Sequence, residues 1–326
     1  MQAITINDVL DARERISRVV RRTPLIRSST FSEWSGFEVF LKAENLQKTG
    51  SFKIRGASNK VMSIAPHEGQ RGVVTGSSGN HGQAVACVAA RFGYGATVVM
   101  PEGGSPVKAA SIKGYGANLV YCGKTSQERL SFAEKLAKES GGAFIHPYDD
   151  PLVMAGQGTA GLEIIEDLDD ASVILVPTGG CGLISGIAVA VKEKRPNVKI
   201  FGVEPAGSNS TGLSFKNGKR TALDRIETAA DGIRTTIPGE LTFPLVQKYV
   251  DGMIEVTEGE ILYAQRVLLE RCKLLAEPTG AVALAAILSG ALARLAKSGK
   301  AVALLSGGNV AMQELAEYLL RAGPNG

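Results

Sequence analysis

The chain has 326 residues, of which 44% are hydrophobic and 21% are charged, and its formal net charge is +4 at pH 7. This length leaves room for two domains, and the composition is that of a globular enzyme rather than a disordered chain. The charges are spread along the sequence without a long run of like sign, so we expect no binding to nucleic acid or to a membrane surface.

Short apolar segments that are typical of β-strands alternate with helical patterns along the chain. The predicted strands are residues 37–42, 71–75, 96–100, 117–121, 143–146, 172–176, 199–203 and 301–305. The predicted helices are residues 53–62, 80–92, 126–138, 182–194, 257–275 and 278–293. This alternation predicts an α/β fold in which mostly parallel sheets are covered by helices.

The order of the strands also predicts two domains. The strands between residues 71 and 146 would form one unit, and the first strand would return to a second unit that the later strands form. We therefore predict a small domain of residues 48–147, inserted between the two parts of a discontinuous large domain, residues 1–47 and 148–326. The apolar segment 278–293 contains proline and glycine, which indicates a buried helix and not a membrane span.

One lysine, Lys53, follows a Gly-Ser-Phe turn and is the first residue of the helical run 53–62. The dipole at the N-terminus of a helix disfavours the charged form of its amine, which helps to keep the amine neutral and nucleophilic. A single lysine is usually a solvated surface charge, so this position indicates catalysis only together with other features.

Two glycine-rich loops each follow a predicted strand and open a predicted helix. Residues 77–82 (SSGNHG) combine hydroxyl groups with the N–H groups of a helix N-terminus, which suits a carboxylate, although Ser77 and Ser78 would also serve as helix caps. Residues 178–183 (TGGCGL) would present consecutive backbone N–H groups to a phosphate. Lysine, carboxylate loop and phosphate loop together predict an amino acid bound to pyridoxal phosphate, a cofactor that acts as an electron sink.

Three segments, residues 51–56 (SFKIRG), 77–83 (SSGNHGQ) and 306–309 (SGGN), resemble the serine/threonine dehydratase and serine racemase family. That family belongs to the second fold type of pyridoxal phosphate enzymes, the tryptophan synthase β class. The resemblance covers nearly the whole chain. It implies that the large domain binds the cofactor, that the small domain binds the substrate, and that the cofactor lies in the cleft between them.

The resemblance also implies roles for individual residues. Lys53 would bind pyridoxal phosphate covalently and remove the Cα proton of the substrate, with Phe52 against one face of the pyridine ring. Ser78 would carry a proton on the face opposite the lysine, as the second catalytic residue. The other expected cofactor ligands are Asn80 at the 3-oxygen, Gly179, Gly180, Cys181 and Gly182 at the phosphate, and Ser306 at the pyridine nitrogen. The expected substrate-binding residues are Ser77, Ser78, Asn80, His81 and Arg129.

Several of these roles leave alternatives open. His81 contacts the substrate or only bonds to a loop backbone. Cys181 stands where the family usually has glycine, and it suits the loop if its φ is negative. Arg129 reaches the distal carboxylate of a substrate or is a solvated helix charge. Glu204 matches a metal ligand of the serine racemase branch, and Mg²⁺, Ca²⁺, a monovalent cation or no metal remain open there, because Ser210 replaces the expected aspartate.

The expected reaction is β-elimination of a hydroxy amino acid, such as L-threonine, L-serine or 3-hydroxyaspartate, to a 2-oxo acid and ammonia. A neutral hydroxyl at Ser306 leaves the pyridine nitrogen unprotonated, which favours this elimination over transamination. The alternative is a serine racemase with side dehydratase activity, in which Lys53 and Ser78 act on opposite faces. We expect a homodimer. We also expect a cytoplasmic protein, because the four cysteines form no Cys-x-x-Cys pair and fit reduced thiols.

Overall fold

Two sheets, each covered by helices, organise the chain. The computed structural model describes residues 4–123 and 125–322. The strands are β1 Leu25–Ser28, β2 Glu38–Ala43, β3 Val73–Gly76, β4 Ala96–Met100, β5 Asn118–Tyr121, β6 Ala143–Phe144, β7 Val173–Pro177, β8 Lys199–Pro205, β9 Gly252–Val256 and β10 Lys300–Leu305. The larger sheet has the strand order β1-β2-β10-β7-β8-β9, and the smaller sheet has the order β5-β4-β3-β6.

Helices follow most of the strands. They are α1 Ile6–Ile16, α2 Ser29–Ser35, α3 Lys53–Met62, α4 Pro66–Gly69, α5 Asn80–Arg91, α6 Pro106–Gly114, α7 Ser126–Ser140, α8 Pro151–Asp167, α9 Gly182–Lys192, α10 Ser210–Asn217, α11 Thr242–Tyr249, α12 Glu258–Val267, α13 Pro278–Leu288 and α14 Met312–Arg321. Short 3₁₀ segments lie at Glu44–Leu46, Ala206–Ser208, Asp231–Ile233 and Leu292–Arg294, and a π-helical turn lies at Leu268–Cys272.

The α/β fold predicted from the alternation is confirmed, and each predicted strand is present with its ends within two residues of the prediction. Strands β1 and β9 were not predicted. Both are short edge strands with partly exposed side chains, so neither carries the apolar run that marks a buried strand. The predicted helix 257–275 is shorter than expected, because the π-helical turn after α12 ends at Lys273 with a left-handed φ of 59°.

The core of the larger sheet follows the two-residue period of its central strands. In β7, Val173 and Leu175 belong to the cluster that includes α12 and α13, whereas Ile174 and Val176 belong to the cluster that includes α8 and α9. Both faces are therefore buried, as expected for parallel strands. Among the described residues, no helix is both long and apolar enough to cross a membrane.

The strands of the smaller sheet all lie within the predicted small domain, and those of the larger sheet lie outside it. The domain boundaries stay a prediction, because α3, in the predicted small domain, forms hydrogen bonds to α8, in the predicted large domain. The Gly56 N–H donates to Gln157 Oε1 at 3.1 Å, and Asn59 Nδ2 donates to the Leu152 carbonyl at 2.7 Å.

A buried ion cluster fixes α3, the helix that Lys53 opens. The cluster consists of Lys42, Glu44, Arg55 and Glu163, and we call it the Arg55 cluster. The Arg55 guanidinium donates to both oxygens of Glu44 at 2.7 and 2.8 Å and to both oxygens of Glu163 at 2.7 and 2.8 Å. Lys42 Nζ donates to Glu163 at 2.6 Å, so two cations balance two carboxylates where little solvent reaches.

We predict that Arg55→Met lowers the free energy of unfolding by about 3–5 kcal/mol, because it leaves Glu44 and Glu163 buried with Lys42 alone. Urea unfolding of the ligand-free protein, followed by circular dichroism, measures this. The matched control is Arg13→Met, which removes an exposed ion pair to Glu166 and should cost less than about 1 kcal/mol. Equal losses in the two variants would contradict the role given to the cluster.

Candidate active site

A cavity of about 1130 Å³ lies between the two sheets. Parallel strands bring their carboxyl ends to one edge of a sheet, and the loops after β3, β7 and β10 therefore open toward this cavity. Every site residue predicted from the sequence lines it except Glu204. These residues are Phe52, Lys53, Ser77, Ser78, Asn80, His81, Arg129, Gly179, Gly180, Cys181, Gly182 and Ser306.

Lys53 is the first residue of α3, as predicted, and its half-buried side chain lines the cavity. Its Nζ donates a hydrogen bond to the Pro147 carbonyl at 2.8 Å and lies 5.2 Å from the centre of the Phe52 ring. Burial lowers the pKa of the ammonium from its ordinary value to about 8. The amine is thus neutral in a far larger fraction than a surface lysine near neutral pH, which is what a nucleophile or base requires.

The loop before Lys53 is joined to the loop after β10. The Phe52 N–H donates to the Ser306 carbonyl at 3.0 Å, the Gly308 N–H donates to the Gly50 carbonyl at 2.9 Å, and an isolated antiparallel bridge links residue 51 to residue 307. Gly50 has a φ of 71°, which favours glycine. Two segments that are far apart in sequence, around residues 51 and 307, therefore form one corner of the cavity.

The two serines after β3 have different surroundings. Ser77 Oγ accepts from the N–H groups of Gly79 at 3.1 Å and Gly82 at 3.0 Å, so its hydroxyl caps the start of α5. Ser78 is half-buried and lines the cavity. The capping role considered for both serines therefore applies to Ser77, and Ser78 is the one placed to meet a ligand.

Asn80 is held by two neighbours. Its Nδ2 donates to Glu277 Oε1 at 2.5 Å, and its Oδ1 accepts from Asn309 Nδ2 at 2.9 Å. A primary amide carries two N–H groups, and Glu277 takes one of them. These contacts fix which end of the amide faces the cavity wall.

His81 is buried in α5, and its Nε2 lies 3.2 Å from the Ile145 carbonyl. Burial, followed by the nearby Lys53 ammonium, holds the pKa of the imidazole well below its usual range. The ring is therefore neutral, and Nε2–H donates to the carbonyl. Of the two alternatives for His81, the observed contact is the loop hydrogen bond.

The loop of residues 178–181 connects β7 to α9. Within the described part of the chain, no acceptor bonds to the N–H groups of Gly179, Gly180, Cys181 or Gly182. Unpaired N–H groups at a helix N-terminus form an anion site, where the positive end of the dipole adds to the attraction. A Cβ at Gly180 would collide with the ring of Tyr148, so this close approach requires glycine.

The condition under which Cys181 would suit the loop, a negative φ, is not met. Its φ is 71° and its ψ is 0°, in the left-handed region where a residue with a Cβ costs roughly 1–2 kcal/mol more than glycine. The chain turns sharply here from the loop into α9, which explains why glycine would suit the position. The buried thiol lies 3.2 Å from Thr211 Oγ1 and 3.3 Å from the Gly179 carbonyl, contacts that glycine would lack.

Arg129 and Ser306 both line the cavity. Arg129, in α7, is 8% exposed and contacts Ser126 Oγ at 3.3 Å, so the alternative of a solvated helix charge is wrong. Ser306 follows β10, is 2% exposed, and its hydroxyl donates a long hydrogen bond of 3.4 Å to the Thr279 carbonyl. That weak bond leaves the hydroxyl available to a ligand.

Glu204 lies outside the cavity and supports the loop of residues 178–181 through Thr211. Its carboxyl oxygens accept from the N–H groups of Thr211 at 3.0 Å and Gly212 at 2.7 Å. Thr211 Oγ1 in turn donates to the Gly179 carbonyl at 3.1 Å. Burial raises the pKa of Glu204 to about 8, although the N–H donors oppose it.

The metal site predicted at Glu204 stays a prediction. A carboxyl group with a raised pKa is a weak ligand for a hard cation. Residues 4–123 and 125–322 contain no group of three or more His, Cys, Asp or Glu side chains that could hold a metal ion.

Among the cavity residues that the sequence did not point to are Lys108, Tyr148, Asp231 and Glu277, which carry polar groups next to the predicted site. Glu277 carried a signal, since it is a single carboxylate between an apolar segment and the proline that opens α13. The other three carried none, because their proximity to the site depends on how the two sheets are placed.

Comparison with known proteins gives a consistent family. Residues 16–307 match the family model described as "Pyridoxal-phosphate dependent enzyme". The chain is 46% identical to an L-threonine ammonia-lyase of Thermotoga maritima over 94% of this chain and 76% of that protein. It is similar to the structure of maize serine racemase, with a TM-score of 0.93, 36% identity and 98% of each chain covered. It is also similar to a pyridoxal 5'-phosphate-dependent aspartate racemase, with a TM-score of 0.89, 35% identity, and 97% and 99% covered.

We predict that the Lys53 amine of the ligand-free protein titrates near pH 8, because burial disfavours its charged form. The rate of acetylation by acetic anhydride, quantified on the Lys53 peptide by mass spectrometry, should rise with pH with a midpoint of about 8. The reference is a free peptide of residues 47–60, in which lysine has its ordinary pKa near 10.4. The same midpoint in protein and peptide would contradict the lowered pKa.

Proposed function

The chain belongs to the pyridoxal-phosphate dependent enzymes, and we propose that it catalyses β-elimination of a hydroxy amino acid such as L-threonine or L-serine. The products are a 2-oxo acid and ammonia. The observation that carries the proposal is that one cavity holds a lysine whose pKa is lowered by burial to about 8, a loop after β7 that is suited to an anion, and a second loop after β3. The similarity to an L-threonine ammonia-lyase supports the reaction class.

The residues present fit pyridoxal phosphate. The unpaired N–H groups of residues 179–182 suit its phosphate, and the buried amine of Lys53 suits its aldehyde. Ser306 supplies a hydroxyl for the pyridine nitrogen, and Asn80 supplies its second N–H for the 3-oxygen. When bound, pyridoxal phosphate supplies a sink for the electron pair left at Cα.

The protein's own groups carry out the remaining work. The loop of residues 77–82 holds the carboxylate of the substrate, with Ser78 facing the cavity. Lys53 removes the proton at Cα, because a buried amine with a pKa of about 8 is neutral in part at working pH and near the ideal strength for a base. The β-hydroxyl accepts a proton as it leaves, so that in sum the proton lost from Cα and the hydroxyl depart as one water molecule. Water then hydrolyses the released enamine to the 2-oxo acid and ammonia.

Racemisation of serine is the second candidate, and the position of Ser78 favours it. A racemase needs a proton donor on the face opposite Lys53, and Ser78 lines the same cavity from the loop after β3. The similarity to maize serine racemase supports this alternative. Both reactions use Lys53 to remove the Cα proton. They differ in the next step, because elimination expels the β-hydroxyl whereas racemisation returns a proton to the opposite face of Cα.

A substrate with a second carboxylate, such as 3-hydroxyaspartate, is the finer proposal. Arg129 supports it as a cation in the cavity wall that is 8% exposed, because an arginine binds a carboxylate through two parallel hydrogen bonds. The similarity to an aspartate racemase supports an acidic substrate. We also propose that the chain forms a homodimer. A cytoplasmic location is supported by the four cysteines, which are all free thiols.

The proposed function is tested by a screen of hydroxy amino acids for release of a 2-oxo acid, with chiral analysis of the remaining substrate. We expect turnover of L-threonine or L-serine by the loaded enzyme. Lys53→Ala should lose both the visible absorption of bound cofactor and all turnover, because one amine serves both purposes. Conversion to the D-enantiomer faster than 2-oxo acid release would establish the racemase instead, and normal activity of Lys53→Ala would reject both.

We predict that Arg129→Ala lowers kcat/KM for 3-hydroxyaspartate by roughly 10–150-fold, since a charge-assisted hydrogen bond is worth about 1.5–3 kcal/mol. Threonine and serine lack the second carboxylate and should change little, so they are internal controls. Arg129→Lys retains the charge and should lose less than the alanine variant. A uniform loss for all three substrates would show that Arg129 supports the fold of the cavity and does not select the substrate.

A further inference from the structure

Lys108 is a buried cation that connects the helices of the smaller sheet to residues on the side of the larger sheet. It lies in α6, on the side of the smaller sheet, and is 5% exposed. Its Nζ is 2.6 Å from Asp231 Oδ2 and 3.3 Å from Glu277 Oε2, two carboxylates on the side of the larger sheet. The aliphatic part of its side chain passes over Gly79, where an added Cβ would collide with Lys108 Cδ.

Glu277 shares its two oxygens between Lys108 and Asn80. The side chain is 1% exposed and directly precedes α13. While Oε2 faces Lys108, Oε1 accepts from Asn80 Nδ2 at 2.5 Å. The Glu277 backbone N–H donates to the Gly307 carbonyl at 3.1 Å, which fixes the residue against the loop after β10.

The contacts continue from Asn80 to the loop of Lys53. Asn309 Nδ2 donates to Asn80 Oδ1 at 2.9 Å and to the Thr49 carbonyl at 2.8 Å. An unbroken series of polar contacts therefore runs from Lys108 through Glu277, Asn80 and Asn309 to the segment before Lys53. The first link is an ion pair and the others are hydrogen bonds, which orient the amides of Asn80 and Asn309 because an amide presents donors at one end and an acceptor at the other.

The charges of this series depend on Lys108. Burial and the neighbouring Asp231 raise the pKa of Glu277, and Lys108 and Asn80 oppose them. Burial by itself would lower the pKa of Lys108, but Glu277 and Asp231 outweigh it and raise that pKa above its ordinary value. Lys108 thus stays an ammonium. Without it, Glu277 would lie buried beside Asp231 with no cation among these neighbours, and a proton on its carboxyl would turn an acceptor into a donor.

We propose that Lys108 is a positioning residue that acts through Glu277 to orient the amide of Asn80 in the cavity. The inference goes beyond the proposed reaction and rests on the proposed function only in that Asn80 is expected to contact the bound cofactor. A change of orientation at Asn80 changes the surroundings of the pyridine ring without altering the catalytic lysine. The absorption spectrum of the bound cofactor therefore reports it without any substrate.

The test compares Lys108→Gln, Glu277→Gln and the double variant with the wild-type protein loaded with pyridoxal 5'-phosphate. The readouts are the visible absorption maximum, the Kd of the cofactor and the midpoint of thermal unfolding. We expect Lys108→Gln and Glu277→Gln to shift the absorption maximum in the same direction and to weaken cofactor binding by roughly 10–100-fold, the loss that is typical when the hydrogen-bonded partner of a metal ligand is removed. The double variant should be no worse than the more affected single variant, because the residues act in series.

Two further variants serve as controls. Lys113→Gln removes an exposed lysine of the same helix and should leave spectrum and Kd unchanged. Lys108→Arg retains the charge and should restore most of the cofactor affinity. An unchanged spectrum in Lys108→Gln with a lower unfolding temperature would overturn the proposal, as would additive losses in the double variant.

Asp231→Asn tests the route through Glu277 even if Lys108→Gln fails to fold, because it removes the other partner of Lys108 and leaves Glu277 in place. We expect its absorption maximum to stay near that of the wild type. A shift as large as that of Glu277→Gln would overturn the proposed route through Glu277. Absence of turnover with every hydroxy amino acid, alongside the expected spectral shifts, would reject the proposed function and leave the role of Lys108 standing.

Discussion

The site depends on one physical constraint. The helix that Lys53 opens is held by buried ion pairs, and separating these charges would cost a large free energy. Arg55, in the first turn of α3, bonds to Glu44 after β2 and to Glu163 in α8. Removing two ions from water is costly, and only their mutual contacts offset that cost. The Arg55 cluster therefore fixes α3 against the larger sheet. The carboxylates of the cluster also stay away from the Lys53 amine, whose pKa burial alone lowers.

The two sheets contribute different chemistry to the cavity. The larger sheet supplies the N–H groups of residues 179–182 and the hydroxyl of Ser306, which are suited to holding a phosphate and a ring nitrogen. The smaller sheet supplies the loop of residues 77–82 and the cation of Arg129. Lys108 and Asn80, from the smaller sheet, meet Glu277 from the larger sheet. The geometry of the cavity thus depends on polar contacts between the sheets as well as on each loop.

Features that depend on neighbouring residues in the sequence were predicted well. The strands of the larger sheet that are buried on both faces appear as continuous apolar runs, and β7 and β10 were predicted within one residue at each end. The edge strands β1 and β9 lack that run and were missed. Cys181 shows the limit at a single residue, because its left-handed φ follows from the turn into α9 and not from its own preference.

The fold class, the lysine at the start of a helix and the two loops suited to anions follow from the order of the residues, because strand periodicity, turn residues and helix N-termini are local properties. The tertiary structure alone decided that Lys53 loses its charge more readily, that Arg129 is buried, and that Lys108 meets Asp231 and Glu277. Desolvation and Coulomb interactions depend on which distant segments pack together. No pattern of neighbouring residues specifies that packing.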